Sequence, residues 1–443
     1  MTWPLHSRVV GEASGFERMI FIFVLLVQQN AFVSIPMLMG GLSNGEMRGV
    51  ENVYNTVGIA LSILLIGWIC LQRLRPLAFI GRTNWWAMLF TCLVLLSATW
   101  SIHPSITIRR GVGYVLTIIV AALLPLRFGV TGSLKVLSTS FAISALGSLV
   151  FVTIVPQYGI MQVQGLEGCW QGVFVTKELL GSVMAVAIFV ELLILVSCPE
   201  KRWWRLCLLV AYGTLVVRSR SMTALLIASA YAAGTVVYLL WRRSGWRGLT
   251  AVTALACALL VGSSIVLPDS QSALGFIGKD VTLTGRVNLW QEVLKLVDEK
   301  PLLGWGYRAM WQPDDSTTEV VDETAGVAVP SAHNAFLEIA LGLGWTGVLV
   351  MGIMICLAIR RGVRCCAKGS GLLGWFSLMF FLGVLVAGIT TETLGQNQTI
   401  EWLVFNALLF SCGALDQRVE KETALRHRRE KSVYREVVGI GAD

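Results

Sequence analysis

One histidine and a handful of cations stand where membrane topology gives them no task. His333 lies where a loop runs into an apolar segment, and a neutral imidazole there can accept a proton from an attacking hydroxyl. Arg109 and Arg110 open one apolar run, Lys177 precedes another, Arg218 and Arg220 sit in a very short connection, and Arg286 starts an amphipathic segment. A cation at such a place costs free energy unless an anion meets it, and the plainer alternative for each is a side chain snorkelling to the interface. Residues 218 and 220 point in roughly opposite directions on a helix, so at most one of them faces a central cavity. Of the other histidines, His6 and His427 are expected in the cytoplasm, and His103 in Ser-Ile-His-Pro-Ser reads as a turn residue. Glu338 is about 140° round a helix from His333 and reads as an interfacial carboxylate bonded to a neighbour, not as the histidine's partner. No metal site is visible: Asp314 and Asp315 are adjacent and lack an Asp-x-Asp arrangement, and the two external histidines belong to separate loops.

Lipid is the medium that must position these groups. With 55% hydrophobic residues, 14% charged ones and a mean hydropathy of +0.70, the chain cannot cover a soluble fold of 443 residues with polar surface. Apolar runs long enough for a bilayer core fall near 19–41, 53–72, 84–100, 109–126, 133–155, 178–198, 203–218, 221–241, 248–267, 335–359, 371–391 and 399–415. The expected fold is therefore an all-α polytopic membrane protein of about twelve transmembrane helices. Glu12 and Glu17 precede the first run, which is expected to remain as an anchor. The net charge of +8 lies in short clusters between apolar runs, which suits orientation in a membrane and not nucleic acid.

Alternate connections carry Arg73, Arg75 and Arg82; Arg127; Lys201, Arg202 and Arg205; Arg242, Arg243 and Arg247; Arg360, Arg361, Arg364 and Lys368; and a basic tail. The positive-inside rule puts all of these in the cytoplasm with both termini, and the connections near 42, 101, 156, 219, 268 and 392 outside. The expected organisation is nine helices over 1–267, a large periplasmic loop over 268–334, three helices over 335–415 and a basic cytoplasmic tail over 416–443. Within the loop, Val287, Leu289, Trp290, Val293, Leu294, Leu296 and Val297 recur at helical spacing until Pro301, predicting an amphipathic helix that caps a cavity or lies on the membrane face. All ten cysteines except Cys169 lie in apolar runs or expected cytoplasmic loops, so no structural disulfide is expected.

His333-Asn334, nine residues, Gly344, two residues, Gly347 resembles the His-Asn/Ser/Gln-x9-Gly-x-x-Gly/Thr/Tyr signature of the O-antigen ligase and Wzy polymerase superfamily. Thr284-Gly285-Arg286, Trp290 and the run Pro301-Leu302-Leu303-Gly304-Trp305-Gly306-Tyr307 are similar to that family's loop motifs. Ser101 to Arg110 and Thr176 to Gly181 are similar to exopolysaccharide polymerases of the ExoQ type. The resemblance implies a GT-C-like membrane fold and a metal-independent, inverting glycosyltransferase without a cofactor. Its implied donor is an oligosaccharide on undecaprenyl pyrophosphate, met at the periplasmic face of a bacterial inner membrane. His333, Arg286 and Arg220 would be catalytic, and Arg218, Arg110, Arg109 and Lys177 would bind pyrophosphate. The implied partners are the lipid-linked oligosaccharide and membrane lipids, with a chain-length regulator left open. A polymerase adding units to a second lipid-linked unit is favoured over a ligase to lipid A core or protein. A transporter or flippase of such precursors stands as the alternative from another class.

Overall fold

The computed structural model describes residues 13–32, 53–73, 76–162, 166–197, 202–244, 284–312, 331–367 and 371–417. Every regular element among them is helical, apart from one isolated antiparallel bridge between Ile160 and Trp170. In chain order the longer helices are α1 Gly15–Gln28, α2 Val53–Arg73, α3 Pro76–Leu96, α4 Pro104–Ile154, α5 Lys177–Ser197 and α6 Arg202–Ser219. There follow α7 Met222–Ser244, α8 Thr284–Glu299, α9 Ala335–Ala367, α10 Gly371–Thr390 and a helix α11 over 400–417. Among the described residues, six helices, Ala78–Thr99, α4, α5, α7, α9 and α10, are long and apolar enough to cross a membrane. The expected span 248–267 and the expected tail beyond residue 417 lie outside the described residues.

Helix ends follow local chemistry. Ser14 accepts from the backbone of Glu17 while Glu17 accepts from that of Ser14, a capping box that starts α1. The 51 residues of α4 would be about 77 Å long if straight, far more than a bilayer core of about 30 Å. The chain breaks instead at Gly129, φ 63° and ψ −178°, in a conformation that glycine adopts readily. This break separates the segments read from the sequence as two spans.

Helix α11 forms the centre of the molecule: residues 398–413 are all buried. Trp402 stacks on Phe405 there, and Phe381 meets Phe405 at a tilt, while α5 packs against α4, α6 and α7. Because lipid tails are as apolar as leucine, buried polar bonds help to select partners between helices. Thr117 donates to Gln28 at 2.9 Å, Gln29 donates to Ser140 at 2.9 Å, and Arg205 meets Glu191 at 2.5 Å.

Helix α9 is broken one-third of the way along, at Gly344, φ 64° and ψ −171°. Such a break strands buried backbone groups, each costing a few kcal/mol if left unpaired. The segment 301–306 satisfies them. Trp305 and Gly306 donate their N–H groups to the carbonyls of Leu341 and Gly342 at 2.9 and 3.0 Å, and Pro301 and Leu302 accept from Trp345 and Thr346 at 2.8 and 3.4 Å. Approach this close leaves no room for side chains: a Cβ on Gly344 would collide with the Leu302 carbonyl, and one on Gly304 would lie 2.6 Å from the Leu341 oxygen. Leu289, Val293 and Val297 of α8 are buried with Leu341, Ala340 and Met310, so the predicted amphipathic helix packs on α9 and its docked loop. Leu294, counted in the apolar face, is 40% exposed.

Gly344→Ala should cost about 3 kcal/mol or more, combining left-handed strain with the collision. Gly352→Ala, in the same helix with open space around it, should be neutral or slightly stabilising. Thermal unfolding in detergent compares them, and equal midpoints would refute the docking role of the break.

Candidate functional site

At one end of the described helices, the connections and the helix ends that lead into them are tied to one another. Asn30 donates to the Gln398 carbonyl at 3.0 Å, and Phe32 donates its N–H to Val173 at 3.0 Å. Trp170 donates to the Arg218 carbonyl at 3.1 Å, and Thr223 lies 3.2 Å from Thr390, oxygen to oxygen. Ile102 donates to Trp305 at 3.1 Å, and the Tyr307 hydroxyl donates to Gly395 at 2.8 Å. At the other end, Gln417 donates to the Arg82 carbonyl and the Arg361 guanidinium lies against Gly413.

A polar cluster underlies the gathered connections. Arg308, directly after the docked run, pairs with Glu392 at 3.0 Å. Gln396, with its amide oxygen turned toward Arg308, accepts from both terminal nitrogens at 3.3 Å while its nitrogen donates to the Glu392 carbonyl at 2.6 Å. Burial alone would lower the Arg308 pKa, but Glu392 and Glu338 outweigh it and hold the guanidinium above its ordinary value. Arg110 donates through Nη1 to the Arg308 carbonyl and lies within electrostatic reach of Glu338. Two guanidinium groups thus face two carboxylates, the neutral balance that a poorly hydrated site requires. Burial pushes the Tyr307 phenol up, so it remains a neutral donor to Gly395 and accepts from the Asn397 N–H at 2.9 Å.

His333 stands at the entrance to α9 with φ 48°, a left-handed conformation uncommon for a side-chain-bearing residue. Its N–H donates to the Ser331 oxygen at 3.3 Å, and its Nδ1 lies 3.4 Å from the same oxygen. Asn334 caps α9, accepting from Phe336 and Leu337 at 2.9 and 3.2 Å. The motif glycines have distinct work: Gly344 makes the break, and Gly347 leaves room for Leu343 and Ile339.

The expected cations fall into different settings. Arg220 is exposed, with φ 51°, in the turn between α6 and α7. Arg218 is also exposed, its guanidinium 4.8 Å above the Trp170 ring. Lys177 is 3% exposed and pairs with Glu178 at 3.5 Å. Arg109 is half-buried beside Arg110. Arg286 lies in the first turn of α8, and its side chain is outside the described residues.

Arg308 and Glu392 were missed by the sequence reading, and Glu338 was assigned only a neighbour's bond. A signal for Arg308 was its position directly after the loop motif. For Glu392 it was a lone carboxylate in a short external connection, where its charge suits a cationic neighbour better than it suits topology.

These helices define an all-α polytopic membrane protein whose polar site lies where its connections gather. Residues 206–352 match the family model described as O-Antigen ligase (Wzy_C). Over 349 residues the chain is 27% identical to the exopolysaccharide production protein ExoQ of Rhizobium meliloti, covering 70% of this chain and 76% of that one. The resemblance read from the motifs is borne out.

Arg308→Met strands two carboxylates and should destabilise the protein by about 3 kcal/mol. Glu392→Gln should cost less in that background than in the native chain. Unfolding of the single and double variants measures the coupling, and strict additivity would contradict the pairing.

Proposed function

We propose that this chain is a polysaccharide polymerase that transfers undecaprenyl-pyrophosphate-linked oligosaccharide units onto a second lipid-linked unit in exopolysaccharide or O-antigen synthesis. It would work in a bacterial inner membrane, both termini cytoplasmic and the site facing the periplasm. The observation that carries the reading is the His333 turn, set among the gathered connections above the balanced arginine–glutamate cluster. Similarity to ExoQ over 70% of the chain, well beyond the ligase segment, favours a polymerase.

The chemistry follows from charge. Departure of a lipid pyrophosphate leaves extra negative charge, and guanidinium groups already in place stabilise it without reorganising solvent. Arg220 is exposed at the gathered end and would contribute to that clamp with Arg286; Arg218, Arg109 and Lys177 are secondary candidates. Arg110, already bonded to the Arg308 carbonyl, is better suited to holding the loop than to gripping substrate. His333 would accept the proton of the attacking sugar hydroxyl. Direct displacement then inverts the anomeric carbon, with no metal required. The match to the O-antigen ligase model keeps a ligase, with lipid A core or protein as acceptor, as the second reading.

His333→Ala, Arg220→Ala and Arg286→Ala should each lower polymer output by about a hundredfold at equal membrane protein levels. In the polymerase reading, single lipid-linked units accumulate; in the ligase reading, long polymer accumulates on its lipid without transfer. Native polymer from a well-inserted His333→Ala variant rejects both.

A further inference from the structure

The geometry points to Glu338 as a positioning residue that sets His333 for its reaction, together with Trp290. This deepens the proposed function and rests on that reading of His333. The peptide groups before the histidine are gripped from two helices. The Glu338 carboxylate accepts from the Ala332 N–H at 2.6 Å, and the Trp290 indole donates to the Ala332 carbonyl at 2.9 Å. The next N–H, that of His333 itself, is held by Ser331. With both faces of Ala332 bonded, His333 is fixed at φ 48°, a conformation that costs about 1–3 kcal/mol and persists only where surroundings impose it.

Glu338 is suited to this task by its own supports. It is 8% exposed, its N–H is bonded to the Asn334 carbonyl at 3.0 Å within α9, and Arg308 supplies the countercharge. Arg308 is in turn fixed by Glu392 and Gln396. The arginine–glutamate cluster therefore serves the histidine through one carboxyl group, which Arg308 faces on one side and which accepts the Ala332 N–H on the other. On a helical wheel Glu338 lies well round from His333, yet it acts on the turn before the helix, which bends back over its carboxylate.

The test uses the full chain in membrane vesicles with a lipid-linked oligosaccharide donor. Glu338→Ala should lower kcat by about tenfold and leave the donor KM within about twofold, while Glu338→Gln, which keeps an acceptor oxygen, recovers most of the loss. Trp290→Phe, which removes the other grip without touching the charge cluster, should lower kcat in the same direction. In a His333→Ala background, Glu338→Ala should add no further loss. An equal loss in that background, or a rise in KM alone, overturns the positioning role. A readout independent of activity is the rate at which diethyl pyrocarbonate labels His333, followed by peptide mass. Glu338→Ala should change it by about threefold or more and Glu338→Gln should not, as expected when one buried bond to the turn is lost. Unchanged labelling in Glu338→Ala overturns the inference. If His333→Ala retains native activity, the functional reading fails alone, and the labelling result still decides the geometry.

Discussion

The structure depends on one constraint, that backbone N–H and C=O groups removed from water must find partners. Helix α9 violates its own hydrogen-bond ladder at Gly344, and the segment 301–306 repairs it with four backbone bonds. Much else at this end follows from that repair. The docked run carries Tyr307 to the connection after α10, places Arg308 beside Glu392, and gives α8 an apolar surface on which Leu289, Val293 and Val297 bury. Full burial of each such side chain contributes about 1.5–3 kcal/mol, enough in sum to keep the loop helix on α9.

The charges divide into two populations with different energetics. Arg110, Arg308, Glu338 and Glu392 are half-buried or buried and compensate one another, so removing any one exposes the desolvation cost of its partners. Arg218 and Arg220 are exposed at the same end, where solvent supports them and where an anionic ligand could be met without breaking an internal pair. That division fits the proposed function, in which exposed cations meet the substrate while the inner ones hold the architecture. Lys177 lies between the two: it is buried, but its carboxylate partner is exposed.

The same end is held by bonds between the chain's connections, and half of those named above run backbone to backbone. Phe32 to Val173, Trp170 to Arg218 and Ile102 to Trp305 use main-chain groups that no side-chain substitution removes. Side chains then refine the arrangement, as Gln398 does by bonding Asn55 while its carbonyl accepts from Asn30.

Much of this was legible in the residues because membranes impose a short list of rules. Run length and apolarity marked the helices, and the positions of Gly344, Gly347 and His333-Asn334 marked the site motif. Arg220, Arg286 and His333 stood out because topology gave them no work. Left-handed backbone at Gly344 and His333, and the pairing of Arg308 with Glu392, were decided only by tertiary structure. Residues 308 and 392 are far apart in the chain, and helical spacing describes neighbours on one helix only. Glu338 shows the difference best: the helical wheel turned it away from His333, and only the fold showed the chain returning over its carboxylate, because a buried N–H needed an acceptor.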